Sequence, residues 1–144
     1  MNRLEELLAE WKKDSEIDRT EPGRELLNIP KLHSKYLNIL SHYRQLMRSV
    51  EFKFSETKRI KWEYYTGKLS KDQLEELGWE PFQFVLKSDI STYIEGDKDL
   101  NRLLAAKAMH EEIVRACESI MKELHSRTYQ LKAFIDYERF IQGA

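Results

Sequence analysis

The feature that most constrains this sequence is the stretch 99–142, which contains neither glycine nor proline. Its apolar residues recur mostly at steps of three, four or seven, the spacing of an amphipathic helix. At 1.5 Å per residue it predicts a helix of roughly 60 Å, longer than a compact domain of this size needs, so the helix requires a partner. The predicted seam comprises Leu103, His110, Ile113, Cys117, Ile120, Leu124, Leu131 and Ile135.

A second seam runs through the first half of the chain. Its positions alternate between steps of four and three, which is a heptad pattern and predicts a helix from Leu32 to about Tyr65. Alternation at 52–54 and 60–62 would also suit a strand, but the long preceding seam favours a helix. The positions are Leu32, Tyr36, Ile39, Tyr43, Leu46 and Val50, and then Lys53, Thr57, Ile60 and Tyr64.

Shorter elements flank these two seams. The spacing of Leu4, Leu7, Leu8 and Trp11 predicts an amphipathic helix from Arg3 to about Ile17. Residues 18–29 are predicted to be a loop, because Pro22-Gly23 interrupts the pattern and Pro30 is suited to a first helical turn.

The middle of the chain carries a mixed signal. Ser70-Lys71-Asp72-Gln73 has the form of a capping box, which predicts a short helix that Gly78 ends. Residues 82–97 combine aromatic and β-branched residues with Ser, Asp and Gly, and no single period fits them. They are predicted to be turn with a short strand or helix.

The predicted fold is therefore mainly α: two long helices form an antiparallel helical hairpin with a short irregular α/β middle segment. One domain is expected over residues 1–144, with N-terminal helices in 1–68, a connecting region in 69–98 and the long helix in 99–142. Any apolar stripe that the hairpin leaves open would be buried between subunits of a homo-oligomer.

Composition excludes several classes of protein. With only 5 Gly and 3 Pro, the chain lacks the turns of an all-β domain, and its 11% aromatic residues argue against disorder. The single Cys117 cannot form a disulfide within the chain, which favours a reducing, intracellular setting. Because no run of eighteen apolar residues exists and the N-terminus is acidic, neither a membrane span nor a signal peptide is expected.

The overall charge of −1 hides a strong asymmetry. Residues 1–25 carry five basic and eight acidic residues, a net charge of −3. Residues 26–71 carry ten and three, a net charge of +7, and residues 72–144 carry nine and fourteen, a net charge of −5. A basic block of this kind indicates an anionic partner, although a solvated face balanced by the acidic segments would give the same count.

Motifs of catalysis are missing. The sequence has no nucleophile elbow, Walker A loop, Rossmann glycine run or paired CxxC motifs, and His110-Glu111-Glu112 lacks a second histidine at position 114. Neither enzymatic activity nor a metal or cofactor is expected. An alternative is an enzyme that binds a divalent cation, but its candidate ligands lack the spacing of a calcium loop and are more typical of turns and caps. These candidates are Asp89, Glu95, Asp97 and Asp99.

The run from Thr57 to Lys68 interleaves cations with aromatic rings, the composition that single-stranded nucleic acid requires for its phosphates and unstacked bases. On a helical wheel five residues share roughly a third of the circumference, opposite the apolar seam. They are Arg44, Arg48, Lys58, Arg59 and Trp62. Lys61 falls nearer the apolar side. The alternative is a purely structural helical oligomer, in which the aromatic residues belong to a core and the cations face solvent or a neighbouring subunit.

Several stretches of the sequence resemble the UvsY recombination mediator family of T-even-type bacteriophages. The stretches are Arg-Leu-Glu-Glu-Leu at 3–7, Trp11-Lys12-Lys13-Asp14, Ile17-Asp18, Ser34-Lys35-Tyr36-Leu37-Asn38 and the basic run ending in Tyr64-Tyr65-Thr66-Gly67. Weaker similarity continues through Val85-Leu86-Lys87-Ser88-Asp89 and Asp97-Lys98-Asp99-Leu100. The resemblance spans nearly the whole chain and is most specific in the first 67 residues.

The resemblance implies a small accessory protein of homologous recombination and repair that is not an enzyme. Such a protein binds single-stranded DNA, weakens the hold of the single-strand-binding protein and helps to load the phage recombinase, in the cytoplasm of the infected bacterium. It implies DNA contacts at Lys58, Arg59 and Lys61. Together with the basic and aromatic pattern, the full set of predicted DNA-binding residues adds Arg44, Arg48, Trp62, Tyr65 and Lys68.

The resemblance also implies a ring-like homo-oligomer of six or seven subunits, assembled through the C-terminal helix. The predicted oligomerisation residues are those of its seam, namely Leu103, Ile113, Cys117, Ile120, Leu124, Leu131 and Ile135.

Overall fold

A computed structural model describes residues 2–82 and 85–143. The described chain is mainly helical and contains no β-strand. Five α-helices follow one another, and a short 3₁₀ turn at Lys87–Asp89 precedes the fourth. They are α1 (Arg3–Asp14), α2 (Pro22–Tyr65), α3 (Lys71–Leu77), α4 (Ile90–Glu95) and α5 (Lys98–Ile141).

The residues pack into two compact units. The terminal unit consists of the described parts of 1–45 and 110–144, and the central unit of those of Leu46–Met109. Helices α2 and α5 each contribute residues to both units. The expected division into 1–68, 69–98 and 99–142 within a single domain stays a prediction. No helix among the described residues has a stretch both long and apolar enough to span a membrane.

The terminal unit is built around an apolar core to which α1, α2 and α5 contribute. Leu7 of α1, Tyr36 of α2 and Leu124 of α5 are among its fully buried side chains. The Tyr36 hydroxyl donates to Asp14 Oδ2 at 2.7 Å, and Lys35 Nζ lies 2.6 Å from the same oxygen. These bonds attach the last turn of α1 to α2, while Leu7 and its neighbours remove apolar surface from water.

The apolar seam of α5 packs mostly against other parts of the same chain. Five of the seven residues predicted to form a subunit contact are buried in the chain itself, and Leu103 and Ile135 are half-buried. These five side chains are therefore covered within the chain and not left open, and the part of this seam in oligomerisation stays a prediction. A heptad pattern shows which face of a helix is buried, but it does not show which surface buries it. The five are Ile113, Cys117, Ile120, Leu124 and Leu131.

The start of α2 also differs from the prediction. The loop expected over 18–29 ends at Glu21, because Pro22 opens the helix in a first turn, where its missing N–H has no intrahelical partner to lose. Pro30 then lies inside the helix instead of starting it. α1 ends at Asp14, three residues before the predicted end at Ile17.

The other helix signals are confirmed. α2 continues to Tyr65 without a strand, and Gly67 follows it with a positive φ of 73°. The capping box is complete, since Ser70 Oγ accepts from the Gln73 amide and Gln73 Oε1 accepts from the Ser70 amide. The described part of 82–97 forms a 3₁₀ turn and α4; Gln83 and Phe84 lie outside the described residues. The predicted short strand is not found among the described residues.

Within the central unit α2 and α5 run antiparallel. Lys61 Nζ lies 2.8 Å from Asp99 Oδ2, and Glu51 Oε1 lies 3.5 Å from Lys107 Nζ. As residue numbers rise along α2, those of the facing residues on α5 fall. This arrangement brings the C-terminal end of α2 beside the N-terminal end of α5, together with α3 and α4.

Candidate nucleic-acid interface

An exposed basic and aromatic surface lies on the C-terminal half of α2 and the turn after it. We call it the basic face, and it consists of Arg48, Lys58, Arg59, Trp62 and Lys68, all of which are exposed. Residues 58 and 62 are one helical turn apart, so their side chains are neighbours on one side of α2. Within the described chain Arg48, Lys58 and Lys68 form no ion pair, and Arg59 contacts Glu63 at 3.1 Å. An exposed pair of this kind is weak and leaves the guanidinium available to an anion.

The aromatic component of the basic face is Trp62. Its side chain is 42% exposed, so part of the indole ring is accessible to a ligand. Lys68 Nζ lies 4.1 Å from the centre of the ring. This cation–π contact places a positive charge and a stacking surface side by side.

Lys61 was predicted to contact DNA at the surface, but its side chain is buried. It is 7% exposed, and its ammonium lies 3.1 Å from Asp97 Oδ2, 2.8 Å from Asp99 Oδ2 and 4.3 Å from the centre of the Trp79 ring. Burial by itself would lower the pKa of Lys61, but hydrogen bonds to Asp99 and Asp97 raise it above its ordinary value. Lys61 is thus a charged internal residue, in contrast to the predicted surface contact.

Tyr65 joins the same cluster. Its hydroxyl donates to Asp97 Oδ2 at 2.6 Å. Burial and this hydrogen bond to a carboxylate both raise the pKa of Tyr65. Burial would raise the pKa of Asp97, but hydrogen bonds from Tyr65, the Leu100 amide and Lys61 lower it. The phenol and the carboxylate therefore stay in their neutral and charged forms, respectively, over the physiological range.

Asp97 has a second role at the start of α5. Its Oδ1 accepts from the Leu100 amide at 3.0 Å, and its carbonyl accepts from the Asn101 amide. This is the geometry of an N-cap, in which a side chain satisfies an otherwise unpaired backbone donor. One carboxylate thus connects the first turn of α5 to Lys61 and Tyr65 of α2.

An aromatic cluster surrounds this ion-pair network. Tyr64 packs against Trp79 with ring centres 5.0 Å apart, and its hydroxyl donates to the Glu80 carbonyl at 2.7 Å. Tyr65 meets Phe82 edge to face at 4.9 Å, and Phe82 meets Tyr93 at 5.2 Å. Such ring pairs add stability beyond their buried area, and here they hold the segment after α3 and a residue of α4 against the end of α2.

Arg44, which the helical wheel grouped with the basic face, belongs to the terminal unit. Its Nη2 lies 3.2 Å from Glu118 Oε1, and both side chains are half exposed. The other grouped residues belong to the central unit.

The acidic residues considered for a cation site do not gather into one. Asp97 and Asp99 face Lys61, while Asp89 and Glu95 are exposed at the two ends of α4. In residues 2–82 and 85–143 no group of three or more His, Cys, Asp or Glu side chains is placed to hold a metal ion.

The comparisons with known proteins agree with one another. Residues 10–144 match the sequence model of a family described as "Recombination, repair and ssDNA binding protein UvsY". The chain belongs to the UvsY family. The "Recombination protein uvsY" of Enterobacteria phage T4 is 28% identical over 141 residues, which cover 98% of each chain.

Solved structures of a family member share the fold. One crystal structure of the bacteriophage T4 recombination mediator protein UvsY has a TM-score of 0.84 and 26% identity, and it covers 99% of both chains. A second lattice form has a TM-score of 0.83 and 25% identity, and it covers 96% of this chain and 99% of the other. The family resemblance in the sequence and the mainly helical fold are thereby confirmed.

Sequence reasoning missed several residues of this region. It assigned Asp97 to a cap but did not connect it to Lys61 and Tyr65, because more than thirty positions separate them. Phe82, Trp79 and Tyr93 were not expected to pack on α2. The one available signal was the Asp97-Lys98-Asp99-Leu100 stretch, in which an acidic cap precedes a long helix.

Proposed function

We propose that this UvsY-family protein binds single-stranded DNA through the basic face and acts as a recombination mediator. The observation that carries the proposal is the pair Lys58 and Arg59, exposed beside Trp62 at the end of α2. Cations neutralise phosphates, and an exposed indole offers a surface on which an unpaired base stacks. In this proposal the buried Lys61 does not touch the strand, and Lys61 and Tyr65 hold the end of α2 through Asp97.

The biological role that we propose is the one that the resemblance to the family implies. The protein promotes loading of a phage recombinase onto a strand covered by single-strand-binding protein, in homologous recombination and repair within the cytoplasm of the infected host. It performs no catalysis and needs no cofactor or metal. Its contribution is to hold the strand in a form that the recombinase accepts.

Assembly into an oligomer would raise the affinity of the basic face for a strand. The net charge of +7 on residues 26–71 gives one subunit only a few phosphate contacts. In the proposed ring-like homo-oligomer of six or seven subunits, several copies of the basic face engage one strand. Linking sites in this way raises affinity by roughly 10² to 10⁴ without any new contact.

The decisive experiment replaces the two cations together. Lys58→Ala with Arg59→Ala should weaken binding to a fluorescent oligothymidylate, measured by anisotropy over a series of sodium chloride concentrations. The slope of log affinity against log salt should become shallower by about 0.7 for each phosphate that the protein no longer neutralises. Size exclusion with light scattering should show an unchanged mass.

A charge-matched control is available on α1. Lys12→Ala with Lys13→Ala removes the same charge from two exposed neighbours and should leave the salt slope close to that of the unmodified protein. Equal weakening in both double variants would show that only overall charge matters and would overturn the assignment to the basic face. Absence of any strand binding, together with an assembly that salt dissociates, would favour a structural oligomer whose basic face meets a neighbouring subunit.

A further inference from the structure

The central unit contains a large cavity next to the basic face. Its volume is about 840 Å³, within the range of small-molecule binding sites. The walls come from the end of α2, the turn after it, the segment before the 3₁₀ turn, and α4. Its described lining residues include the aromatic rings of Trp62, Tyr65 and Phe82, together with aliphatic side chains such as Ile90 and Ile94.

The charged residues among the described lining of the cavity are both basic. The charged side chains that line it are Lys68 and Lys87, both of which are exposed, and no carboxylate is among the described lining residues. Thr66 and Ser91 add hydroxyl groups. A cavity with flat apolar walls and cations matches a nucleotide, which combines an aromatic base with a phosphate, better than an apolar peptide side chain.

The cavity is continuous with the basic face. Trp62 and Lys68 belong to both, and Lys58 lies one helical turn before Trp62. A strand whose phosphates contact Lys58 and Arg59 therefore runs past the residues that line the cavity.

We propose that the cavity receives an unstacked nucleobase of the bound single strand, with the adjoining phosphates at Lys68 and Lys87. The inference rests on the proposed strand binding and adds a site for the base. Stacking on rings tolerates any base, so the site contributes affinity for single strands without sequence specificity. A duplex, whose bases are paired and stacked, does not supply this group.

The first test compares an intact oligothymidylate with a strand of the same length and charge in which abasic residues replace most nucleotides. Stacking contributes about 1 to 3 kcal/mol per base, which corresponds to roughly 5-fold to 150-fold in affinity. The unmodified protein should bind the abasic strand at least about 5-fold more weakly at the same salt concentration. The salt slope should be the same for both strands.

The second test places a charge in the cavity. Ser91→Glu introduces a carboxylate on its wall, whereas Thr92→Glu puts the same charge on the next, exposed residue of α4, which does not line the cavity. Ser91→Glu should remove most of the preference for the intact strand, and Thr92→Glu should retain it. Circular dichroism and thermal melting establish that both variants are folded.

The outcomes separate the two proposals. Equal affinity for intact and abasic strands, with a strong salt dependence, overturns the base site and the stacking on Trp62 but leaves phosphate binding by Lys58 and Arg59 in place. Failure to bind either strand overturns both. If the Ser91→Glu variant still prefers the intact strand, the base stacks on another surface and the base site is overturned. If this variant binds both strands as the unmodified protein does but no longer assists the recombinase, the cavity binds a protein partner, and the base site is again overturned.

Discussion

Lys61 belongs by sequence to a run of cations, yet its ammonium lies inside the central unit between Asp97 and Asp99. Burying a charge costs several kcal/mol unless close opposite charges and hydrogen bonds offset the loss of water. Here two carboxylates and the face of Trp79 supply that compensation. The neighbours Lys58 and Arg59 have no such surroundings and stay in solvent, so residues two and three positions from Lys61 take a different role from it.

Replacing Lys61 with methionine tests this difference. Lys61→Met leaves the 3% exposed side chain of Asp97 without its closest cation, so the free energy of unfolding should fall by about 3 kcal/mol or more. Lys58→Met changes an exposed residue in the same helix and should alter it by no more than about 0.5 kcal/mol. Urea unfolding at a fixed protein concentration measures both. Equal effects would contradict the internal role of Lys61.

Asp97 gives this region a dependence on pH. Its pKa is lowered below the ordinary value of 3.8, so its contribution to stability is complete above that value and is lost as the pH falls through the lowered pKa. Asp97→Asn should therefore be less stable than the unmodified protein near neutral pH, and the gap should narrow below about pH 4. Urea unfolding across this range measures the gap. Asp89→Asn changes an exposed carboxylate of the same unit and is the control variant. A difference in stability for Asp97→Asn that stays constant across this pH range would exclude the linkage.

α2 shows that a proline does not by itself end a helix. Pro30 has no N–H to donate to the Leu26 carbonyl, yet the helix continues to Tyr65. Burial of Leu32, Tyr36 and Leu40 in the terminal unit stabilises the turns that follow it. Tertiary packing therefore outweighs a local cost of about 3 kcal/mol.

Removing that cost should stabilise the helix. Pro30→Ala restores a hydrogen bond at an exposed position, while the unfolded chain gains conformational freedom, so the net gain should be about 1 to 2 kcal/mol. Pro81→Ala is the control, because Pro81 lies outside the helices and alanine there should bring no gain. The midpoints of urea unfolding of both variants measure the gain in stability. An equal gain for Pro81→Ala and Pro30→Ala would indicate an effect unrelated to the helix.

At the scale of the whole molecule, the described chain leaves apolar side chains uncovered near the end of α5. Tyr137, Phe140 and Ile141 are mostly exposed, Phe140 to 80%. Because the predicted oligomerisation seam is mostly buried within the chain, these three residues form an exposed apolar group at the end of α5 that is available to a second copy. We expect them to take part in the proposed assembly.

Their substitution should dissociate the assembly without unfolding the subunit. Phe140→Ser with Ile141→Ser should lower the mass measured by size exclusion with light scattering, while the helical circular dichroism signal persists. Phe52→Ser changes a comparably exposed phenylalanine on α2 and should leave the mass unchanged. If the mass of the double variant stays the same, subunit contacts lie on another surface.

Local sequence patterns predict the long helices and α3, because periodic apolar positions, the capping box and scarce glycine act over a few residues at a time. They also locate the basic and aromatic end of α2 and the family. The tertiary structure decided which side chains on that end are exposed, since the burial of Lys61 depends on Asp97, Asp99 and Trp79. It likewise decided that the α5 seam is covered within the chain. Both results depend on contacts between residues far apart in sequence, which a local pattern does not encode.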